Sequence, residues 1–347
     1  MPNKTSIKLP FGKQFTCHMV RAHYTNGTWQ KPTIVPFGSL ELSPATLALH
    51  YGQIVFEGLK AFRWQNSRLS IFRLDRHYNR LTLSCQRLAI PPIPKQLFYD
   101  VILEFVKLEQ DWIPTEIGHS LYLRPFIFAS DPEIGVKISN TYEFVVIASP
   151  VSRYFDIEPT NISLVTSTPY SRTAPGGLGR AKTPANYAST LLPSREAAQR
   201  GYAQILWLDA VTQSYIEEAG TMNIFFRPDA QLITPPLGDT ILDGTIRNSV
   251  ISLAKQMDIP VVERRISVTE MLEWHRSGHL DEIFGTGTAA GIIMIDKITH
   301  RDTLVQPKVV WENSIGRLLQ DRLISIQHGL DKDEFGWCFV IPEQSTD

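Results

Sequence analysis

Residues 174–187 read Ala-Pro-Gly-Gly-Leu-Gly-Arg-Ala-Lys-Thr-Pro-Ala-Asn-Tyr, a Gly-rich loop that leads through Lys182 to Asn186 and Tyr187. A phosphate-binding P-loop requires glycine directly before its lysine, and here Ala181 holds that position. A lysine held in a tight turn away from water loses its proton more easily and attacks carbonyl carbons. Most lysines are simply solvent-exposed, but the polar side chains one turn later favour the reactive interpretation.

The chain around this loop is long enough for two domains. It has 347 residues, and two domains of roughly 150–190 residues each are expected at that length. Pro, Ser, Thr and Gly dominate residues 149–179, so we place an interdomain connection at 156–169. Apolar runs and helical stripes predict strands at 142–148 and 205–208 and helices over 74–88, 98–106 and 315–326.

The composition argues against several classes of partner. The chain is 43% hydrophobic and 20% charged, which argues against disorder. Lys+Arg (34) and Asp+Glu (35) nearly cancel, so neither nucleic acid nor an anionic membrane is expected as a partner. No apolar stretch approaches the ~20 residues that span a bilayer. Three distant cysteines, with no C-x-x-C pair, fit a reducing cytoplasm better than a disulfide framework or a zinc site.

Three further segments carry candidate chemistry. Glu217 and Glu218 precede the strand-like residues 224–226, where a buried carboxylate would need a cationic partner such as a protonated ring nitrogen; a turn with two solvated acids fits equally well. Residues 243–247 open a helical pattern whose first N–H groups suit a phosphate. Residues 285–291 lack the dinucleotide-binding spacing but are compatible with an anion-binding nest.

Two pairs of side chains have informative spacing. Tyr122 and Arg124 share one face of a predicted strand, and an inward-facing arginine binds carboxylates with a fork of N–H groups. An edge strand would instead leave that arginine in solvent. His275 and His279 lie four residues apart but lack the H-E-x-x-H context, so we expect surface histidines and no metal site.

Taken together, these segments resemble the branched-chain amino acid aminotransferases, fold-type-IV enzymes that use pyridoxal 5'-phosphate (PLP). The resemblance extends from residue 11 to residue 337, and its motifs are HYGQIVFEGLKAF (50–62), YLRP (122–125), 176–187, 218–223 and 287–289. It implies a mixed α/β fold with the active site between two domains. These would be a smaller N-terminal domain (1–155), a connection (156–169) and a larger, barrel-like PLP-binding domain (170–347).

The resemblance also implies roles for individual residues. Lys182 would bind PLP covalently and move the proton at the substrate Cα, Tyr187 would contact the cofactor's phenolic oxygen, and Glu218 would pair with its ring nitrogen. The other implied cofactor contacts are Arg80, Thr221, Thr245, Ile246, Gly287 and Thr288. The implied substrate contacts are Phe15, Phe56, Tyr122, Arg124, Thr221, Ala289 and, from a second subunit, Tyr51, Ile134 and Val136.

Two departures from the family pattern limit what is carried over. Thr183-Pro184-Ala185 stands where relatives commonly have small glycines. Because proline fixes φ, the turn after Lys182 is expected to be stiffer and the reach of the lysine to differ. The redox C-x-x-C of some relatives is absent, so no such switch is expected.

The sequence therefore predicts a cytoplasmic, homodimeric aminotransferase. Its substrates would be leucine, isoleucine or valine with 2-oxoglutarate, giving branched 2-oxo acids and L-glutamate. The alternatives are another fold-type-IV enzyme, such as a D-amino acid aminotransferase or an aminodeoxychorismate lyase, and a non-catalytic amino-acid-binding relative. Arg124 within YLRP and the length of the chain favour the branched-chain group.

Overall fold

The computed structural model describes residues 11–152, 161–166 and 169–342. The chain forms two compact units, Met1–Asp156 together with Ile324–Asp347, and Ile157–Leu323. Each unit is a nine-stranded sheet with helices, so the mixed α/β class is confirmed. No helix within the described ranges is long and apolar enough to cross a membrane.

The unit boundaries differ from the predicted domains in two places. Within the predicted connection, 156–160 and 167–168 lie outside the described residues, whereas Asn161–Thr166 form an internal strand of the second sheet. Residues 324–347 were predicted to belong to the PLP-binding domain but group with the first unit. The reason is that strand Cys338–Val340 pairs with Leu69–Phe72 of the first sheet.

The first unit carries the sheet order β18-β6-β5-β7-β8-β1-β2, with β3 paired to β1 and β4 to β7. Its strands are β1 (His18–Thr25), β2 (Thr28–Trp29), β3 (Thr33–Pro36), β4 (Ile54–Phe56), β5 (Leu59–Arg63), β6 (Leu69–Phe72), β7 (Ser120–Ala129), β8 (Tyr142–Val151) and β18 (Cys338–Val340). Its helices are α1 (Leu47–Tyr51), α2 (Leu74–Arg87) and α3 (Lys95–Leu108), with a 3₁₀ turn at Gln110–Trp112.

Helix α2 is amphipathic, and its inward face carries polar groups as well as apolar ones. Leu74, His77, Leu81 and Cys85 recur at helical spacing on the buried side, and Arg80 shares that side. Asp75 lies in the first turn of this helix, whose N-cap is Arg73. The negative charge of Asp75 complements the positive end of the helix dipole.

The second unit has the order β11-β10-β9-β16-β15-β12-β13-β14, with β17 paired to β16. Its strands are β9 (Asn161–Thr166), β10 (Gln204–Leu208), β11 (Ile216–Ala219), β12 (Asn223–Pro228), β13 (Leu232–Thr234), β14 (Val261–Glu263), β15 (Leu280–Gly287), β16 (Gly291–His300) and β17 (Thr303–Val305). Its helices are α4 (Pro184–Ala188), α5 (Leu191–Gln199), α6 (Thr245–Gln256), α7 (Val268–Arg276) and most of α8 (Ile315–Gln327), with a 3₁₀ turn at Trp311–Asn313.

Apolar residues fill the second sheet and fix its register. Strands β12 and β15 are antiparallel and pair Asn223 with Thr286, so the chain segments beyond these two residues meet at one end of the sheet. Further along, Phe225 and Phe284 stack with ring centroids 5.1 Å apart. This register brings two of the predicted site segments, 218–223 and 285–291, to the same end of the sheet.

A buried ionic cluster, Glu57–His77–Arg80, lies inside the first unit. Arg80 donates to both carboxylate oxygens of Glu57, from Nε at 2.7 Å and from Nη2 at 2.9 Å. His77 Nδ1 lies 2.7 Å from Glu57 Oε2. Burial alone would raise the pKa of Glu57, but the charge and hydrogen bonds of Arg80 and His77 outweigh burial and hold that pKa far below its usual range.

Removing the charge of Glu57 should destabilise the protein and alter its response to acid. Glu57→Gln leaves Arg80 buried without its counter-ion, so we expect a loss of about 3–5 kcal/mol in unfolding free energy at pH 7. Because the folded pKa lies below the unfolded one, the carboxylate stabilises the protein above the unfolded pKa of 4.5, and this is lost as pH falls below it. Chemical denaturation as a function of pH measures both effects.

The matched control for this measurement is Glu116→Gln, which changes an exposed carboxylate of the same unit. It should alter the unfolding free energy by less than ~0.5 kcal/mol. An acid dependence in Glu57→Gln as steep as that of the unsubstituted protein would contradict the assignment.

Candidate active site

Lys182 lies directly before helix α4, and its amine is held by a hydroxyl. Lys182 Nζ donates to the Tyr187 hydroxyl at 2.8 Å, so the polar neighbour predicted one turn later is in contact. Pro184 occupies the first turn of α4, where its missing N–H costs nothing and its φ suits the helix. The segment Thr183-Pro184-Ala185, which differs from the family pattern, is therefore the start of a helix. It fixes the point at which the chain turns after Lys182.

The Gly-rich loop before Lys182 is packed rather than solvated. Asn186 Nδ2 donates to the carbonyls of Leu178 (2.7 Å) and Ala181 (2.9 Å), which folds the loop back onto α4. A Cβ at Gly179 would lie 2.6 Å from the Cα of Thr240, and backbone atoms cannot move aside. Glycine at position 179 therefore lets this loop approach residues 239–242 closely.

Glu218 lies within strand β11, and both acids of the pair are buried. Glu217 is 7% exposed and Glu218 is 3% exposed, which excludes the interpretation as two solvated acids. Glu218 Oε1 accepts from the Leu242 N–H at 3.0 Å and from Asn223 Nδ2 at 3.2 Å. Its Oε2 forms an ion pair with Arg172 Nε at 2.7 Å.

Burial and neighbouring charges act in opposite directions on these carboxyls. Burial raises the pKa of Glu218, and Glu217 adds to the rise, while Arg172, the Leu242 N–H and Lys182 oppose it. Burial likewise raises the pKa of Glu217, whose Oε1 accepts from the Thr240 hydroxyl at 2.6 Å. Lys182 is one of the positive charges that lower the pKa of Glu218, so the two groups lie within electrostatic range of each other.

The start of helix α6 has the features of an anion site. Thr245 and Ile246 are both buried in the first turn, and the N-cap residue, Gly244, has no side chain that could cap it. The Thr245 hydroxyl is buried with no hydrogen-bond partner among the described residues. Asn223 Nδ2 contacts both Glu218 and the Leu242 carbonyl (2.9 Å), which links this helix start to the buried acid.

The predicted Thr221 and the 287–289 segment lie on adjacent turns. Thr221 is exposed in the turn between β11 and β12, and Gly287 begins the turn that carries Thr288 and Ala289. The Met222 side chain packs against Gly287, where a Cβ would lie 3.4 Å from Met222 Cγ. These two turns follow from the β12–β15 register described above.

The first unit holds a second group of predicted site residues. The prediction that Tyr122 and Arg124 share one face of a strand, here β7, is confirmed. Arg124 Nη2 donates to the Tyr122 hydroxyl at 2.9 Å, and the guanidinium lies 4.7 Å from the centroid of the Phe56 ring. Arg124 Nε is buried without a hydrogen-bond partner among the described residues. A Cβ at Gly58 would lie 1.9 Å from the Tyr122 hydroxyl, so only glycine leaves room for this ring.

The remaining predicted residues of the first unit have different surroundings. Phe15 stacks on Phe37 with centroids 4.9 Å apart. Tyr51, Ile134 and Val136 are exposed, Val136 by 88%. Arg80 is bound to Glu57, as described for the cluster inside this unit.

Sequence reasoning missed the partners of the predicted charges. Arg172 and Glu57 were not singled out, although they contact the predicted residues Glu218 and Arg80. His77, which contacts Glu57, was missed as well. The available signal was weak: Arg172 lies two residues before the Gly-rich loop, and Glu57 lies inside the HYGQIVFEGLKAF motif. Neither position indicates which distant residue it pairs with.

Comparison with known proteins places this geometry in a family. The amino-transferase class IV family model matches residues 54–298. The chain is 40% identical over 337 residues to branched-chain-amino-acid aminotransferase 2 of Bacillus subtilis, covering 97% of this chain and 93% of that protein. It is 40% identical over 333 residues to the branched-chain-amino-acid aminotransferase of Mycobacterium tuberculosis, covering 94% and 90%.

Solved structures agree with the sequence relatives. The branched-chain aminotransferase of Thermoproteus uzoniensis with norvaline superposes with a TM-score of 0.76 at 26% identity, over 92% of this chain and 99% of that one. The branched-chain amino acid aminotransferase of Escherichia coli gives a TM-score of 0.73 at 26% identity, over 93% and 100%. This chain is therefore a member of the class IV aminotransferase family, within its branched-chain-amino-acid aminotransferase group and fold type IV.

Proposed function

We propose that this enzyme transfers an amino group between branched-chain L-amino acids (leucine, isoleucine, valine) and 2-oxoglutarate, using pyridoxal 5'-phosphate. The observation that carries the proposal is the Lys182 amine beside the Tyr187 hydroxyl, in the same unit as the buried Glu218. The names of the relatives support the substrate class. Structures of a related branched-chain aminotransferase with N-(5'-phosphopyridoxyl)-L-glutamate and with pyridoxamine 5'-phosphate support the cofactor.

The residues present fit this cofactor. Lys182 supplies an amine for the aldehyde, and Glu218 is a buried carboxyl suited to a protonated ring nitrogen. The Thr245 hydroxyl, buried without a partner among the described residues, and the uncapped start of α6 suit the phosphate. The other proposed phosphate contacts are Arg80, Ile246, Gly287 and Thr288. When bound, PLP withdraws electrons from the substrate Cα and makes its proton removable.

The side chains around Lys182 would orient it and control its proton. The Tyr187 hydroxyl holds Nζ at 2.8 Å, which restricts the lysine to a narrow range of positions. Nζ would accept the proton from the substrate Cα and then pass it to the cofactor. Glu218 would hold a proton on the ring nitrogen, because the charged pair is favoured where water is excluded. Thr221 and Ala289 would bind the substrate α-carboxylate.

The group around Arg124 suits a pocket that accepts two kinds of side chain. Phe56 and Tyr122 supply apolar surface for a branched aliphatic group. The Arg124 Nε donor, buried without a partner among the described residues, is available to the side-chain carboxylate of glutamate. One apolar pocket with a single recessed cation can therefore serve both half-reactions.

The covalent role of Lys182 predicts a labelled peptide. Borohydride should fix PLP irreversibly to the tryptic peptide that contains Lys182, as read by mass spectrometry. Lys182→Ala should lose this label and lower kcat by about 10²–10⁴-fold, because proton transfer at the Cα loses its base. Lys255→Ala, an exposed lysine of the same unit, should retain both label and activity.

The same preparation distinguishes the rival functions. L-Leucine with 2-oxoglutarate should yield glutamate, and D-alanine should not. Turnover of D-alanine in place of L-leucine would favour a D-amino acid aminotransferase, and a chorismate-derived substrate alone would favour the lyase. A colourless protein that binds amino acids unchanged would favour the non-catalytic relative.

Arg124 should affect one half-reaction more than the other. Arg124→Met keeps much of the packing volume but removes the cation, so kcat/KM for glutamate should fall about 10- to 100-fold, the worth of a charge-assisted hydrogen bond. The half-reaction with leucine should change less than ~5-fold, because a branched side chain makes no such bond. Single-turnover absorbance with each amino acid measures both rates on one variant. Equal losses for the two amino acids would contradict this role.

We propose that the enzyme is a cytoplasmic homodimer with shared sites. Ile134 and Val136 are 71% and 88% exposed, which is costly for aliphatic side chains unless a partner surface covers them. A second copy is the partner proposed, with Tyr51, Ile134 and Val136 contributing to its substrate pocket. Cys17, Cys85 and Cys338 are all free thiols, which supports the location.

Shared sites predict that two inactive variants restore activity when mixed. Lys182→Ala and Val136→Asp each damage a different part of the site. After refolding together, half of the dimers are mixed, and each mixed dimer has one intact site, so about a quarter of wild-type activity should return. Activity after co-refolding, with each variant refolded alone as the control, measures this. Mixtures no more active than the separate variants would contradict shared sites.

A further inference from the structure

Arg172 is a buried arginine that connects three segments of the second unit. Arg172 is 8% exposed, and its Nε lies 2.7 Å from Glu218 Oε2. Its Nη2 donates to the Thr240 carbonyl and, at 3.4 Å, to the Gly179 carbonyl. The backbone carbonyl of Arg172 accepts from the Ser189 hydroxyl at 3.1 Å. One guanidinium thus joins the loop before Lys182, the buried acid and residues 239–242.

The charges around Glu218 make this contact electrostatically important. The groups that influence it are Arg172, the neighbouring Glu217 and the Lys182 amine. Arg265 and Asp209 act on Glu217, the second buried acid. Two adjacent buried carboxyls repel each other when both are ionised, and burial disfavours each charge. Among the contacts of Glu218 in the described residues, Arg172 is the one that brings a full positive charge to an ion-pair distance.

We propose that Arg172 is a positioning residue for Glu218, keeping this carboxyl ionised and fixed in orientation so that it is available to the ring nitrogen of the cofactor. This rests on the proposed function, because the ring nitrogen belongs to PLP. An arginine suits the task since its fork of donors binds a carboxylate and backbone carbonyls together. If Arg172 were purely structural, only its Nη2 contacts would matter. Its replacement would then change the affinity for cofactors with and without a ring nitrogen by the same factor.

The test compares two cofactors that differ in one ring atom. Apoprotein is titrated with PLP and with 1-deaza-PLP, in which a C–H group replaces the ring nitrogen, and dissociation constants are measured by absorbance. Arg172→Met should weaken PLP about 10- to 100-fold, the loss of one charge-assisted contact, and 1-deaza-PLP less than ~3-fold. The absorption maximum of bound PLP should shift as the ring nitrogen loses its proton, and that of 1-deaza-PLP should not.

Two further variants keep the outcome interpretable if Arg172→Met folds poorly. Arg172→Lys retains the charge but lacks the fork, so the ratio of the two dissociation constants should stay within ~3-fold of wild type even if the melting temperature falls. Glu218→Gln should remove the preference for PLP, and adding Arg172→Met should change the ratio no further, as expected for residues that act as one unit.

Each result decides the proposal. A parallel loss of affinity for both cofactors in Arg172→Met, or no loss for either, overturns the positioning role while the proposed function stands. Loss of the PLP preference in Arg172→Lys overturns it as well. A wild-type protein that binds neither cofactor overturns the function and the inference together.

Discussion

The buried carboxyl of Glu218 is the constraint on which the arrangement of the second unit depends. An ionised carboxylate removed from water is stable only if several donors replace its hydration. Here two donors, the Leu242 N–H and the Asn223 side chain, hydrogen-bond Glu218, and Arg172 adds an ion pair from a third segment. Glycine is needed at position 179 because the loop that follows Arg172 must lie close to residues 239–242 for both segments to contact Glu218. A Cβ there would collide with the backbone of Thr240. The position of Lys182 follows from the same loop.

The first unit treats its buried acid differently. Glu57 meets Arg80 through two hydrogen bonds and His77 through a third contact, so its charge is fully compensated within the protein. The effect of such a cluster is to fix the orientation of Arg80. Among the described residues, Glu218 instead forms one ion pair, with Arg172, and burial raises its pKa. That difference is what separates a structural ion cluster from a carboxyl that can respond to a ligand.

The parts of the site that depend on local spacing could be predicted from the sequence. Lys182 and Tyr187 are five residues apart across the start of α4, and Tyr122 and Arg124 alternate on one strand, so their contacts lie within short stretches of chain. The pairing of Arg172 with Glu218, and of Glu57 with Arg80, crosses many residues and depends on the tertiary fold. Local patterns also placed 161–166 in a connection, because a six-residue strand flanked by Pro and Ser does not show its partners β10 and β16. The grouping of 324–347 with the first unit depends on an equally distant strand pair.

In the proposed role, two unlike substrates would place a further demand on Arg124. A buried guanidinium facing an aliphatic side chain would be costly if it had no other partners. The Phe56 ring, 4.7 Å away, and the Tyr122 hydroxyl compensate it in the absence of a carboxylate, and a cation–π contact of this kind contributes about 0.5–2 kcal/mol. The Nε donor stays unpaired among the described residues, so a carboxylate still gains a bond on entering. Gly58 makes the arrangement possible, because any larger residue would displace the Tyr122 hydroxyl that holds the guanidinium.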